Sequence, residues 1–270
     1  MFTALLGQER VKKILTGLVS TKRIANSYIF AGPEQCGKTT AARLLIDALG
    51  VTASVDRYEV TTETSIKIDQ IRELKKYVQF GPHESPYLAV IVQKADTMST
   101  DAANSLLKLL EEPPPNVFFL LETQSLDQLL PTIRSRSQLV QFEPLLPKDV
   151  AQLLSQKYPE KQDEVVYAAK LAGGLLPQAE LVLHNLEYVR TLTNAVDRTM
   201  DFVAITTLAE ELSKKDKSEV LGYLQVVIQH LRDTIALKKA KILLEYMRIL
   251  QKQVNMRLTL EVMFMKVSAV

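Results

Sequence analysis

Cysteine, tryptophan and long apolar runs are scarce in this sequence of 270 residues, which contains one cysteine and no tryptophan. A single cysteine excludes an internal disulfide and a cysteine-rich zinc site, and it fits a reducing compartment. No run approaches the roughly 18 uninterrupted apolar residues of a membrane-spanning helix. The N-terminus also lacks the charged and apolar regions of a signal peptide. We therefore expect a soluble cytoplasmic protein.

A dominant sign of charge is lacking as well. The chain has 33 Lys and Arg residues against 31 Asp and Glu residues. Bulk electrostatics therefore demands neither a nucleic-acid partner nor a membrane partner. The length is sufficient for a sizeable core and about one to three domains.

Short apolar segments alternate with helical patterns in the first half of the chain. Four segments read as strands: 27–32, 87–93, 117–123 and 139–145. Strands that are separated by helices predict a parallel sheet in an α/β fold. After Pro147 the strand patterns fade and apolar-periodic helical segments follow. The patterns place domain boundaries near residues 147 and 200.

A phosphate-binding loop follows the first predicted strand. Gly32, Gly37, Lys38 and Thr39 match the pattern G-x-x-x-x-G-K-(S/T). The glycines let backbone N–H groups curl around phosphate oxygens, the lysine neutralises phosphate charge, and the threonine offers a hydroxyl to magnesium. A strand before the loop and a helix after it meet the required context. With the adjoining Thr40, these residues are the candidate cofactor-binding residues, and we expect ATP or ADP with Mg²⁺.

The acidic residue that usually accompanies such a loop is missing from the second predicted strand. Proteins with this loop commonly end a nearby strand in an acid that helps to hold magnesium. Here the strand ends in Gln93 and Lys94. A neutral amide oxygen is a weak ligand, and a lysine cannot accept a proton from water near neutral pH. The pattern therefore predicts nucleotide binding with little turnover.

Several segments together resemble the clamp-loader branch of the AAA+ ATPases, which serves bacterial DNA polymerase III. The similar segments are 5–11, 26–45, 68–82, 102–123, 129–142 and 255–265. The resemblance runs nearly end to end. It implies an α/β P-loop AAA+ nucleotide-binding domain with a parallel sheet over 1–147, a small helical lid over 148–200 and an all-α collar over 201–270. In the family the collar holds subunits in a five-membered ring.

The resemblance also implies roles for individual residues. Arg136, within the sequence S-R-S, matches the family's arginine finger, which reaches the nucleotide site of a neighbouring subunit, and a surface salt bridge is the alternative for this side chain. Thr123, at the end of the third predicted strand, matches the sensor threonine, although an ordinary strand-end hydroxyl is an equal alternative. Asp96 matches an acid that we interpret as a structural cap.

Other features of the family are absent from the sequence. Catalytic members carry Asp-Glu where this chain has Gln93 and Lys94, and a lid arginine where it has Pro177 and Gln178. The family's usual zinc module needs four cysteines, so we expect no metal site of that kind and no zinc. These departures favour a subunit that hydrolyses little ATP itself and serves a neighbour.

Three functions are therefore compared. The first is a largely non-hydrolysing ring member that donates Arg136, with gamma/tau and delta clamp-loader subunits as partners. It would contact the sliding clamp and primed DNA through the assembled complex. The second is an active ATPase subunit of the gamma/tau type. The third is an AAA+-derived DNA-binding or regulatory protein outside replication.

Overall fold

Five parallel strands form one sheet in the N-terminal part of the chain. The computed structural model describes residues 2–270. The strands are β1 Ser27–Ala31, β2 Arg57–Val60, β3 Leu88–Val92, β4 Val117–Thr123 and β5 Gln138–Gln141. Their spatial order is β2-β3-β4-β1-β5, and each neighbouring pair is parallel. The predicted α/β fold with a parallel sheet is confirmed.

Helices cover both faces of this sheet. They are α1 Glu9–Thr21, α2 Lys38–Ala48, α3 Ile68–Val78, α4 Thr100–Glu111 and the short α5 Pro131–Arg134. One core joins α1 and α2 to the face that carries Phe118 and Leu120 of β4. A second core joins α3 and α4 to the opposite face, which carries Phe119 and Leu121. Alternate residues of β4 thus enter different cores, as strand geometry requires.

The sequence patterns missed one strand and overextended another. β2 has the sequence R-Y-E-V, in which only Val60 is buried. It lies at the edge of the sheet, where half-exposed polar residues hide the apolar run typical of a central strand. The last predicted strand, 139–145, ends at Gln141 in the structure.

The remainder of the chain is helical and forms a second compact unit that begins at Leu145. Its helices are α6 Pro147–Lys157, α7 Gln162–Leu171, α8 Leu176–His184, α9 Leu186–Asp197, α10 Phe202–Ser213, α11 Lys217–Asp233, α12 Leu237–Leu250 and α13 Met256–Ser268. One continuous core draws on helices before and after residue 200. The division into a lid over 148–200 and a collar over 201–270 stays a prediction.

A helix break interrupts the apolar periodicity of residues 218–240. Ile235 has a φ of 63°, in the left-handed region, and the Ala236 N–H donates to the Leu231 carbonyl at 2.8 Å. This is the pattern of a Schellman-type helix end, which glycine usually makes. The sequence offers no glycine there, so the periodicity alone did not show the break.

Among residues 2–270, no helix has both the length and the hydropathy for crossing a bilayer.

Asp56, the residue before β2, anchors the start of that strand through hydrogen bonds. Its carboxylate is fully buried and accepts N–H donors from His83, Glu84 and Ser85 at 2.6, 2.9 and 2.6 Å. Burial acts to raise the pKa of Asp56, but the backbone donors outweigh it, and the pKa lies below its usual value. The carboxylate therefore ties the start of β2 to the loop that precedes β3.

We predict that Asp56→Asn lowers the stability of the chain by about 1.5–3 kcal/mol at pH 7, the scale of a lost hydrogen bond to a charged group. Because the native pKa of Asp56 is depressed, its contribution is complete above the unfolded pKa of about 3.9 and is lost as pH falls through the native value. Urea unfolding followed by circular dichroism at pH 7 and in acid measures both effects.

Asp69→Asn is the matched control, since Asp69 is exposed and pairs with Arg72 across one turn of α3. It should change stability by well under the Asp56 effect. Equal stability of Asp56→Asn and the wild type at pH 7 would contradict the assigned role.

Candidate nucleotide-binding site

The phosphate-binding loop lies between β1 and α2, at the edge of the sheet where the strands end. The Gly32 N–H donates to the Thr123 carbonyl at 3.1 Å. A Cβ at position 32 would lie 2.6 Å from the Phe142 carbonyl oxygen, so only glycine fits there. Gly37 has a φ of 101°, in the left-handed region that favours glycine. The close approach of Phe142 therefore requires glycine at position 32, and the left-handed backbone favours glycine at position 37.

Lys38 points back into the loop that it follows. Its side chain is largely buried, and Nζ donates to the carbonyl oxygens of Gly32, at 2.8 Å, and Pro33. The ammonium group is thus held by backbone carbonyl oxygens near the N-terminus of α2. A phosphate at this loop would compete with those carbonyls for the same donors.

Thr39 contacts an acidic residue that the sequence analysis did not single out. Its Oγ1 donates to Oε2 of Glu122, on β4, at 2.7 Å. Glu122 is 5 % exposed, and its other oxygen, Oε1, is buried with no hydrogen-bond partner among residues 2–270. Burial raises the pKa of Glu122, and the Thr39 hydrogen bond and the Lys38 charge oppose part of that rise. The available signal was an acid inside the apolar strand V-F-F-L-L-E-T.

A second group of polar side chains, from α2, β2 and the residue after β3, lies beside the contact between Thr39 and Glu122. Arg43 of α2 makes two hydrogen bonds to Glu59 of β2, at 3.1 and 2.9 Å. Gln93 donates from Nε2 to the same carboxylate at 3.3 Å. Lys94 is exposed and begins a turn with a φ of 50°. The end of β3 therefore carries a neutral amide and an outward cation.

Thr123 and Asp96 serve the loops at this edge. The Thr123 hydroxyl donates to the Ser125 carbonyl at 2.9 Å and accepts the Ser125 N–H at 3.1 Å. Asp96 accepts the Gln124 N–H at 3.3 Å, which fits a structural cap. The hydroxyl proposed as a sensor is thus engaged in closing a turn.

The structure brings most of the candidate cofactor-binding residues together. Gly32, Gly37, Lys38 and Thr39 form one loop, with Thr123 at its border. Thr40 is exposed on the first turn of α2.

Gln8 joins the N-terminal segment to the phosphate-binding loop. Its Nε2 donates to the carbonyls of Cys36, at 3.2 Å, and Glu143, at 2.6 Å. Its Oε1 accepts the Glu143 N–H at 3.2 Å. The segment 5–11 was noted from the sequence, but this contact depends on residues far apart in the chain and could not be predicted.

Arg136 lies at the opposite edge of the sheet from the loop. It comes just before β5, whose Gln138 pairs with Tyr28 near the start of β1, whereas the loop follows the end of β1. The five residues of β1 span about 16 Å at roughly 3.3 Å per residue. Arg136 is 38 % exposed and pairs with Glu111 of α4 at 2.8 Å. It is therefore directed away from its own loop.

The helical unit has no arginine at the position expected for a lid arginine. Pro177 lies in the first turn of α8, and Gln178 donates to Gln225 of α11 at 2.5 Å.

Among residues 2–270, no cluster of three or more His, Cys, Asp or Glu side chains is arranged to hold a metal ion.

Sequence comparison relates the chain to subunits of DNA polymerase III. Residues 52–146 match the family described as DNA polymerase III, delta subunit. The gamma/tau subunit of Mycobacterium tuberculosis is 30% identical over 266 residues, covering 84% of this chain and 45% of that protein. The tau subunit of Bacillus subtilis is 25% identical over 263 residues, covering 86% and 47%. The chain spans about half the length of the curated relatives it matches.

Solved structures show the same fold. A DNA polymerase III gamma subunit-related protein of Thermotoga maritima superposes with a TM-score of 0.51 at 22% identity, over 97% of this chain and 99% of that one. The RuvB Holliday junction branch migration motor of Thermotoga maritima gives 0.52 at 15% identity, over 70% and 64%. The chain has the P-loop AAA+ fold that the sequence predicted, and the sequence relatives support the clamp-loader resemblance.

We predict that the isolated chain hydrolyses ATP at the background rate. The end of β3 offers an amide held by Glu59 and an exposed lysine, so neither side chain can orient water as a base. Phosphate release from purified protein, with Lys38→Ala as the control, measures this. A clear rate in the wild type that disappears in Lys38→Ala would contradict the prediction.

Proposed function

We propose that this relative of the DNA polymerase III clamp-loader subunits acts as a delta-prime-type subunit. It would be a ring member that hydrolyses little ATP itself and donates Arg136 to the nucleotide site of a neighbouring gamma/tau subunit. The observation that carries the proposal is the position of Arg136, which is exposed at the edge of the sheet opposite its own phosphate-binding loop.

The contacts of Arg136 support a role in another subunit. The guanidinium is held by Glu111 at 2.8 Å and by the Thr132 carbonyl at 3.1 Å, both in the same unit. An exposed pair of this kind contributes little stability, so a phosphate group could displace the carboxylate at small cost. An arginine finger supplied in trans is worth roughly 10³–10⁵ in rate in well-studied GTPases.

Assembly into a ring is supported by the surface of α13. Leu258, Val262 and Met265 are exposed and follow one another at helical spacing, so they form an apolar stripe on this last helix. Such a stripe fits packing against other subunits. We propose gamma/tau and delta subunits as partners in the cytoplasm, with the sliding clamp and primed DNA reached through the complex.

We also propose that the loop binds ATP or ADP with Mg²⁺. Support comes from the two glycines, the buried Lys38 ammonium and the Thr39 hydroxyl at the start of α2. The helix N-terminus adds a favourable dipole for an anion.

An active gamma/tau-type ATPase is the second candidate. It is favoured by the 30% identity to the gamma/tau subunit over 84% of this chain, and by the acid Glu122 next to Thr39. Gln93, Lys94 and the absent lid arginine favour the first candidate. The ATPase rate of the purified chain separates the two.

We expect Lys38→Ala to weaken nucleotide binding by about tenfold or more, since the variant removes the cation that faces the phosphates. Isothermal titration of ADP and ATP into the whole chain with Mg²⁺ measures the affinity. Lys12→Ala is the control, because Lys12 is on α1 and its side chain pairs with Glu9 of the same helix. An unchanged affinity in Lys38→Ala, or no binding by the wild type at millimolar nucleotide, would reject the nucleotide proposal.

We expect Arg136→Ala to leave assembly intact and to reduce the clamp- and DNA-stimulated ATPase of the reconstituted complex. One site of the ring loses its arginine, so the ATPase should fall partially and clamp loading, which needs the sites together, should fall further. Arg136→Lys should substitute poorly, because an ammonium group lacks the planar fork of the guanidinium. Both rates are measured at saturating ATP.

Arg134→Ala is the matched control for that experiment. Arg134 is an exposed arginine two residues away, and it pairs with Asp127 at 3.6 Å. Normal ATPase and loading in Arg136→Ala, with normal assembly, would show that Arg136 is a surface residue and would remove the main role proposed for the chain.

A further inference from the structure

We propose that Glu122 supplies the carboxylate ligand of the divalent cation that accompanies the nucleotide. β4 would thereby provide the acidic oxygen that the end of β3 lacks. The inference rests on the proposed nucleotide binding and adds to it a ligand that the phosphate-loop motif does not contain.

The register of the sheet brings Glu122 beside the position of the missing acid. Ile91 of β3 pairs with Leu120 of β4, and Val92 pairs with Leu121. The next pair in this register is Gln93 with Glu122. Alternation along β4 also puts Glu122 on the face covered by α2, which is the face that holds Leu120. The acid is therefore displaced by one strand and remains at the same edge and on the same face.

The contact with Thr39 brings the Glu122 carboxylate beside the hydroxyl that would bind the cation. In phosphate-binding loops of this type, the hydroxyl at this position binds Mg²⁺. Thr39 Oγ1 and Glu122 Oε2 are 2.7 Å apart. Adjacent ligand oxygens of an octahedral Mg²⁺, each about 2.1 Å from the ion, are roughly 3.0 Å apart. The two oxygens are thus within about 0.3 Å of the spacing of neighbouring ligands.

The second carboxylate oxygen gives an independent reason to expect a cation. Glu122 Oε1 is buried and has no hydrogen-bond partner among the residues that the structure describes. Glutamate is rarely buried without a partner, because an unsatisfied carboxylate oxygen is costly away from water. Lys38 Nζ, the cation of the loop, is directed to the Gly32 and Pro33 carbonyls. A bound cation would satisfy the oxygen that remains.

The known preferences of Mg²⁺ fit a site with a single acid. The ion commonly binds nucleotide proteins through one or two carboxylates, with phosphate oxygens and water as its other ligands. A cluster of three or more acidic side chains is therefore not needed. The neighbouring carboxylate, Glu59, is already neutralised by Arg43 and hydrogen bonded by Gln93. Glu59 thus provides a matched control of the same charge and on the same side of the sheet.

The experiment is isothermal titration of ADP into the whole chain, with Mg²⁺ and with EDTA. In the wild type, Mg²⁺ should tighten binding. Glu122→Gln keeps the size and a hydrogen-bond acceptor for Thr39 but removes the charge. It should lose roughly tenfold or more of the Mg²⁺ enhancement, the scale of perturbed metal sites, while its affinity in EDTA stays near that of the wild type. Glu59→Gln should retain the enhancement.

A direct readout and a rescue complete the test. Electron paramagnetic resonance of Mn²⁺ with ADP should show the protein-bound ion in the wild type and much less of it in Glu122→Gln. Adding Gln93→Asp to Glu122→Gln should restore both signals, because the next strand then supplies a carboxylate at the same edge. Circular dichroism verifies that each variant is folded.

The possible outcomes distinguish a failure of the Glu122 assignment from a failure of the proposed nucleotide binding. If the wild type binds ADP neither with Mg²⁺ nor with EDTA, nucleotide binding and the Glu122 assignment both fail. If the wild type binds ADP equally well with and without the ion, or if Glu122→Gln retains the enhancement, the Glu122 assignment alone is overturned. A loss in Glu59→Gln as large as that in Glu122→Gln would also overturn it, since the effect would then be general electrostatics.

Discussion

The parallel alignment of five strands is the constraint on which the rest of the N-terminal unit depends. Because every strand runs in one direction, all of their carboxyl ends meet at one edge. The phosphate-binding loop is fixed there by close packing of Gly32 against Phe142 and by a hydrogen bond to the Thr123 carbonyl. Thr39 then reaches Glu122 across the same edge. Without this alignment, the motif would be a glycine-rich turn with no neighbours.

The same alignment separates the phosphate-binding loop from Arg136 within one unit. The loop lies at the carboxyl ends of the strands, and Arg136 lies at the amino ends, next to the start of β1. The proposed function uses both edges, one for a nucleotide and the other for an arginine presented to a neighbour.

The proposed cation ligand, Glu122, lies on the strand next to the one where the usual acid is missing. Gln93 directly follows β3 and is hydrogen bonded to Glu59, while Glu122 of the adjacent β4 comes one residue after the Val92–Leu121 pair. Neighbouring strands are only about 4.8 Å apart, and the side chain of Glu122 reaches the hydroxyl of Thr39 from β4. The proposal for Glu122 therefore depends on the edge and the face of the sheet that it shares with Gln93, and less on which of the two strands carries the acid.

The sequence by itself determined the phosphate-binding loop, the parallel α/β fold, the helical character after residue 147 and the absence of an acid at Gln93, because each of these is a local pattern. β2 escaped notice because an edge strand of four residues carries too few buried side chains. Only the tertiary structure decided that Glu122 meets Thr39, that Gln8 holds the loop, and that Arg136 lies away from its own site. Those contacts join residues 28 to 135 positions apart or follow from strand register, and local periodicity carries no information about either.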